Sequence, residues 1–139
     1  MRDIAVKRLY QGLATLMRRR AELGTEIHPG LSLTAFTLLT QIQAAPGTRA
    51  RDLADLFGLD KSTVSRQINE LQTAGLILRE GEQPGRRGYP LVLTDEGQRQ
   101  LQQEAERAQQ RLAEVLAAWT ERDITALTRM IERFLTDVG

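Results

Sequence analysis

Two amphipathic segments separated by only three residues constrain the fold of this chain more than any other feature. The first segment ends at Phe57, and the second begins after residues 58–60. Gly58 suits the left-handed conformation that ends many helices, and Asp60 can cap the helix that follows. Two helices with so short a glycine-containing connection cross steeply, as in a helix-turn-helix. The residues expected to fill the angle between them are Phe57, Leu59, Val64 and Ile68, beside the small Ala54.

Apolar residues recur at three- and four-residue steps before this pair, which is the spacing of one helix face. The first such stripe is Val6, Leu9, Tyr10, Leu13, Leu16 and Met17. The second is Leu33, Phe36, Leu39 and Ile42. We expect Arg18-Arg19-Arg20 and Gly24 to end the first helix. Either Ser32 or Thr34 can cap the second helix, which Pro46 stops.

Two short runs after Gly75 change the period from that of a helix to that of a strand. They are Leu76-Ile77-Leu78 and Leu91-Val92-Leu93, with turn residues from Gly81 to Gly88 between them. Aliphatic and β-branched runs around a loop of this composition predict a β-hairpin.

The last third of the chain predicts two more helices. Thr94 can cap a long one, and Thr120 can cap the final one with Asp123 in a capping box. The stripe of the long helix is Leu101, Ala105, Ala108, Leu112, Val115 and Trp119. That of the final helix is Ile124, Leu127, Ile131 and Phe134 or Leu135. These stripes suit an interface between two copies of the chain, and burial within one chain is the alternative.

The second helix of the predicted helix-turn-helix presents a polar and cationic face. Its outward residues are Lys61, Ser62, Thr63, Ser65, Arg66 and Asn69. In the major groove arginine can read guanine and asparagine can read adenine, while hydroxyl groups bond to phosphates or base edges. A merely solvated face is the alternative, but such faces more often carry Glu and Lys, which are better helix formers than Ser and Thr. We therefore interpret this face as a DNA-reading surface.

The tip of the hairpin adds two guanidinium groups, Arg86 and Arg87, on a loop bounded by glycines. Arginine side chains on such a loop can enter a narrow minor groove, where the negative potential is enhanced. An ordinary exposed turn with basic residues is the alternative.

The segments from Asp52 to Arg66 and from Leu91 to Gly97 resemble the DNA-reading unit and wing of the MarR family of winged helix-turn-helix regulators. The second segment is the more telling, since other helix-turn-helix families share the Thr-Val-Ser-Arg helix. The resemblance covers nearly the whole chain. It implies a homodimer on a pseudo-palindromic site in double-stranded DNA, and a small aromatic or phenolic effector that lowers DNA affinity.

One wing position departs from the family's pattern. Counting back seven from Thr94 places the signature arginine at Arg87, whereas the signature aspartate falls on Gly85. In the family that aspartate is thought to help hold the arginine. Our hypothesis is that Glu82 takes over this role or that Arg87 is less ordered in the free protein.

Charge is nearly balanced, with 19 Lys and Arg against 18 Asp and Glu. The net charge is +3 over residues 1–47, +1 over 48–93 and −3 over 94–139. Bulk attraction is therefore too weak to hold DNA, and the binding must come from positioned cations. The cations expected on one surface are Lys61, Arg66, Arg86 and Arg87. The acids expected to point elsewhere are Asp52, Asp55 and Glu70.

The composition also excludes several classes of protein. The absence of cysteine rules out disulfides, thiolate metal sites and thiol sensors. With a single histidine, a zinc site would need carboxylates or a second chain, and we expect no metal or cofactor. No nucleophile motif and no glycine-rich phosphate loop indicates an enzyme. No apolar run approaches the length of a membrane span, and no targeting segment is evident, so we expect a cytoplasmic protein without a membrane partner.

The sequence thus predicts a mainly α-helical fold with a small β-hairpin wing. Residues 1–139 form one domain, in which 1–30 and 95–139 are a helical dimerisation region and 31–94 a winged helix-turn-helix DNA-binding region. We expect a sequence-specific transcriptional repressor released by a small molecule. A winged-helix module that binds protein instead of DNA is the alternative.

Three places are candidates for the effector site: Arg18–Arg20, His28 and Trp119. Ordinary roles are favoured for all three, as solvated or DNA-backbone-facing arginines, a turn histidine and a core tryptophan. The sequence leaves the effector site unassigned.

Overall fold

The computed structural model describes residues 1–28, 30–81 and 88–139. Its elements are α1 (Arg2–Arg18), α2 (Arg20–Ile27), α3 (Leu33–Ala44), α4 (Ala50–Phe57), α5 (Lys61–Thr73), β1 (Ile77–Arg79), β2 (Leu91–Leu93), α6 (Asp95–Val115) and α7 (Glu121–Val138). The predicted fold class, a mainly α-helical winged helix-turn-helix, is confirmed. None of the helices in these ranges is long and apolar enough to cross a membrane.

The bend between α4 and α5 is set by Gly58, whose φ of 61° and ψ of 36° lie in the left-handed region. Asp60 occupies the predicted N-cap position of α5 with an extended backbone. Its carboxylate accepts a hydrogen bond from the Thr63 hydroxyl at 3.4 Å and makes no capping bond to the backbone. Both ends of the connection therefore lie where the sequence places them.

The core fills the angle between α3, α4, α5 and the hairpin. Its completely buried apolar side chains include Leu38, Leu39, Ile42, Leu53, Val64 and Ile77. Ala54 is buried at the crossing of α4 and α5, with Phe57 and Leu59 packed beside it. Ser32 caps α3 by accepting the Ala35 N–H at 3.1 Å, which resolves the choice between Ser32 and Thr34.

The two strands pair antiparallel, with Leu78 opposite Val92. β1 begins one residue later than predicted, because the N–H of Leu76 bonds to the Leu71 carbonyl at 3.0 Å and closes the end of α5. A further bridge joins Thr48 to Leu91 and fastens the hairpin to the start of α4.

The hairpin and α6 meet at a close backbone contact. Thr94 accepts the Gly97 N–H at 2.9 Å, as predicted for a cap, and donates its hydroxyl to the Gly75 carbonyl at 2.6 Å. A Cβ added at Gly97 would overlap the backbone carbonyl of Leu76. Glycine is therefore the residue that fits at this junction.

The long helix is shorter than its apolar stripe predicts. α6 ends at Val115, and Trp119 lies in the connection to α7 rather than on the helix. Thr120 and Asp123 form the predicted capping box, in which each side chain accepts the backbone N–H of the other. The cap of α7 therefore sets where the connection finishes.

The N-terminal helix also departs from its prediction. The helix is interrupted at Arg19 and a second helix, α2, follows. Gly24 therefore lies inside a helix instead of ending one. Gly24 is buried where α2 meets α3, and a Cβ there would lie 3.3 Å from Leu33 Cβ. This glycine therefore permits close helix packing.

Candidate nucleic-acid interface

The outward face of α5 is largely as predicted. Lys61, Ser62, Ser65, Arg66 and Asn69 are exposed. Thr63 is partly buried, and its hydroxyl is directed to Asp60. Thr63 is therefore the least exposed of the six predicted contact residues on α5.

A shallow surface collects most of these residues. It is lined by Ser62, Ser65, Arg66, Asn69, Glu70 and Thr73. The presence of Glu70 corrects the expectation that all three nearby acids point elsewhere. Asp52 instead accepts the Arg49 N–H at 3.0 Å at the start of α4. One carboxylate therefore lies within the face that would approach DNA.

A second, basic surface lies beside the first, at the N-terminal ends of α4 and α5. We call it the basic notch: a cavity of about 240 Å³ lined by Arg49, Ala50, Arg51, Lys61, Ser65 and Gly88. Three cationic residues and one hydroxyl-bearing residue thus line the same cavity. Sequence reasoning did not single out Arg49 and Arg51. Their position in and before the first turn of the helix preceding α5 was the available signal.

Asn69 has a specific partner on the hairpin. The Arg79 guanidinium donates a hydrogen bond to Asn69 Oδ1 at 2.7 Å, joining β1 to α5. Arg79 also was not singled out from the sequence, because nothing in the linear pattern places a strand residue beside this helix face. The bond occupies the carbonyl that a bidentate contact with adenine would use.

The predicted wing contacts, Arg86 and Arg87, lie outside the described residues, as do Glu82 and Gly85 of the wing hypothesis. Gly88, which follows them, lines the basic notch together with Lys61 and Ser65. The described end of the wing therefore adjoins the N-terminal end of α5.

A separate cavity of about 400 Å³ lies between α2, α3 and the turn after α4. Arg20 and His28 line it, with Phe57 and Leu59 from the helix-turn-helix. Trp119, the third place considered for an effector, is not among its lining residues. The cavity thus joins cationic or polar groups on one side to apolar groups of the DNA-reading unit on the other.

His28 is held by an unusual set of neighbours. Its ring lies 4.2 Å from that of Phe36, centroid to centroid. Nδ1 is buried without a hydrogen-bond partner among the described residues, and Glu104 Oε1 lies 3.7 Å away. Glu104 is itself buried on α6 and accepts the Leu31 N–H at 3.4 Å. The cavity wall is therefore in contact with α6 through His28. Across the described ranges, no group of three His, Asp or Glu side chains could hold a metal ion.

Two carboxylates outside these surfaces have displaced pKa values. A hydrogen bond from Arg19 lowers the pKa of Glu22, and hydrogen bonds from Arg99 and Gln100 lower the pKa of Glu96. A carboxylate with a lowered pKa stabilises the fold above its unfolded pKa and loses that contribution as the pH falls through the folded value. Because both groups are exposed, solvent screening keeps their contributions small.

The chain is similar in sequence to known helix-turn-helix transcriptional regulators. The sequence profile of the MarR family, MarR_2, matches residues 30–88. An uncharacterized HTH-type transcriptional regulator of Bacillus subtilis (strain 168), YxaD, is 28% identical over 123 residues, which are 87% of this chain and 86% of the relative.

Solved structures extend the similarity to nearly the full length. A crystal structure of MarR superposes with a TM-score of 0.78 at 25% identity, covering 94% of this chain and 96% of that one. The MarR family protein RV2887 of Mycobacterium tuberculosis, in complex with p-aminosalicylic acid, gives a TM-score of 0.69 at 25% identity and covers 87% and 95%.

Proposed function

We propose that the chain is a transcriptional regulator of the MarR family, which binds double-stranded DNA as a homodimer and represses transcription from a pseudo-palindromic site. The single observation that carries the proposal is the outward face of α5. It presents Arg66 and Asn69 beside the basic notch, on a helix whose other side is packed into the core.

The two kinds of surface suit two kinds of contact. Arg66 and Asn69 are proposed to contact base edges in the major groove, where sequence is read. The hydroxyl groups of α5 and the cations of the notch suit the phosphate backbone, which fixes the position of the protein. Arg86 and Arg87 are proposed to enter the adjacent minor groove.

The homodimer is supported by the terminal helices. Neither α1 nor α7 has a buried residue, although both carry apolar stripes. We assign residues 1–30 and 95–139 to dimerisation and residues 31–94 to DNA binding. A two-fold axis through the terminal helices would present two copies of α5 to successive major grooves, about 34–36 Å apart.

A small aromatic acid is the proposed effector, and the 400 Å³ cavity is its proposed site. Arg20 offers a charge to a carboxylate, and Phe57 and Leu59 offer apolar walls. RV2887 is similar to this chain and has been crystallised with p-aminosalicylic acid. Because the cavity wall includes the turn before α5, a ligand there would shift the recognition helix, and couplings of this kind amount to roughly 1–3 kcal/mol.

The proposal is tested by fluorescence anisotropy with mixed-sequence duplex DNA at several salt concentrations. Release of counterions from phosphates makes the binding constant fall steeply with salt. We expect such a slope for the wild-type chain and a shallower one for Arg51→Gln. Arg133→Gln on α7 is the matched control, because it removes the same charge far from the notch. Absence of salt-dependent binding would favour the alternative of a winged-helix module that binds protein.

The effector is tested with p-aminosalicylate as the probe. We expect it to raise the dissociation constant of the DNA complex for the wild-type chain and to have less effect on Arg20→Gln. Arg19→Gln serves as the control, since Arg19 pairs with Glu22 instead of lining the cavity. Equal responses of the two variants would place the effector elsewhere.

A further inference from the structure

The hydrogen bond between Arg79 and Asn69 joins the two parts of the molecule proposed to contact DNA. Arg79 is the last residue of β1, and Asn69 lies in the third turn of α5 on the same shallow surface as Arg66. The N···O distance of 2.7 Å lies at the short end of the ordinary range for N–H···O hydrogen bonds.

The chemistry of arginine fixes which way the amide faces. A guanidinium group has donors and no acceptor, so the atom of Asn69 that faces it must be the carbonyl oxygen. The NH₂ group of the same planar amide is then directed away from Arg79. The orientation of this amide therefore follows from its partner and is not an arbitrary choice between oxygen and nitrogen.

We propose that Arg79 is a positioning residue for sequence recognition, which holds Asn69 so that it offers hydrogen-bond donors to DNA. The inference rests on the proposed DNA-binding function. Bidentate recognition of adenine requires an asparagine to accept from N6 and donate to N7 with one amide edge. An oxygen held by Arg79 disfavours that pair, and a donating NH₂ group favours acceptors such as O6 and N7 of guanine or O4 of thymine.

This role differs from that of an ordinary phosphate contact. A phosphate-binding arginine changes affinity for all sequences alike, whereas a residue that orients a base-reading amide changes the preference at one base pair. Arg79 is also two residues before Gly81, where the turn segment of the wing begins. The hairpin would thus brace the recognition helix in addition to supplying its own contacts.

The test uses full-length variants and selection of bound duplexes from a random-sequence library. Arg79→Met removes the donor and keeps much of the side-chain length, and Arg79→Lys restores a donor and the charge. Asn69→Ala removes the amide. Arg51→Met is the matched control, because it removes one cation of the notch without touching Asn69. Thermal unfolding of each variant separates any loss of fold from loss of recognition.

We expect Arg79→Met to relax discrimination by roughly tenfold at one base pair of each half-site, the scale of one base contact. Asn69→Ala should relax the same base pair, the double variant should add nothing further, and Arg79→Lys should retain most of the preference. Arg51→Met should weaken binding to all duplexes with an unchanged preferred sequence.

Two results would overturn the inference while leaving the proposed function intact. In one, Arg79→Met weakens every sequence equally, as Arg51→Met does, which would make Arg79 a backbone contact. In the other, Arg79→Met and Asn69→Ala affect different base pairs. If the wild-type chain enriches no sequence at all, the proposed function fails and the inference fails with it.

Discussion

The winged helix-turn-helix and the two terminal helices bury their apolar residues to very different extents. In the first region Leu38, Leu39 and Ile42 have no exposed surface. In α7 the large apolar residues from Ile124 to Leu135 remain 37–63% exposed, and in α1 the residues of the apolar stripe are 55–73% exposed except for the partly buried Leu13. The same kind of periodic stripe therefore ends in a closed core in one region and on an open surface in the other.

This difference separates a region with a buried core from two helices without one. Burial of a large aliphatic side chain contributes about 1.5–3 kcal/mol, and the core of the winged helix-turn-helix, which also includes Leu101 of α6, gains this stabilisation within one copy of the chain. Contiguous apolar faces on a soluble protein mark interaction sites. The apolar faces of the terminal helices are therefore candidate interaction surfaces, and the proposed partner is a second copy of the chain.

The largest expected effect concerns the terminal helices α1 and α7, which we call the open region. Ile131→Asp on α7 should weaken dimerisation by roughly 3–6 kcal/mol, because a two-fold interface loses the apolar burial in both copies. Sedimentation equilibrium should then report 15.6 kDa instead of twice that mass. Thr125→Asp on the polar side of α7 is the control and should leave the dimer intact. A wild-type chain that sediments as a monomer would contradict the claim that the terminal helices form a dimer interface.

The next effect concerns the winged helix-turn-helix, which we call the closed region, at its junction with α6. Gly97→Ala should lower the free energy of unfolding by about 3 kcal/mol, because the added methyl group overlaps the Leu76 carbonyl, which belongs to the backbone and cannot rotate away. Chemical denaturation measures the change. Gly81→Ala, where a Cβ meets nothing within 4 Å, should cost little. Equal stabilities of the two variants would show that the junction of hairpin and α6 is looser than described.

A smaller effect concerns recognition by the closed region. Arg66→Ala should lower operator affinity by roughly 1–3 kcal/mol and relax the preference at one base pair, because it removes a base-reading guanidinium. Anisotropy titrations with the selected operator and with single-base variants measure both quantities. If the sequence preference is unchanged, Arg66 does not read a base directly.

The smallest expected effect concerns the wing. Arg87→Ala should reduce the slope of log K against log salt by about 1, which corresponds to the loss of one cation from the proposed minor-groove contact. The sequence preference should change little. Unaltered affinity and slope would place the wing away from the DNA.

The sequence predicted the winged helix-turn-helix more accurately than the terminal helices. Periodicity, caps and the left-handed Gly58 predicted the elements of the closed region, because its local signals and its packing agree. Two local signals gave wrong helix ends. Gly24 lies at a close approach of two helices instead of ending one, and the apolar stripe through Trp119 continues past the end of α6.

The candidate site was predictable only in part. Residues on one helix face share a linear spacing, so the exposed face of α5 could be read from the sequence. Arg49, Arg51 and Arg79 join that face only through the crossing of α4 and the pairing of β1, which no spacing encodes. The same holds for Glu70, whose place on the shallow surface limits the positive charge there.

The most direct test of the central claim is hydroxyl-radical footprinting of the wild-type chain on its selected operator, combined with the mass of the complex. Two closed regions held together by open ones should protect two symmetric patches, with half-site centres about 10–10.5 base pairs apart or at a multiple of that spacing, and two chains per duplex. A single protected patch with one chain bound would contradict the claim that the terminal helices pair two DNA-reading units.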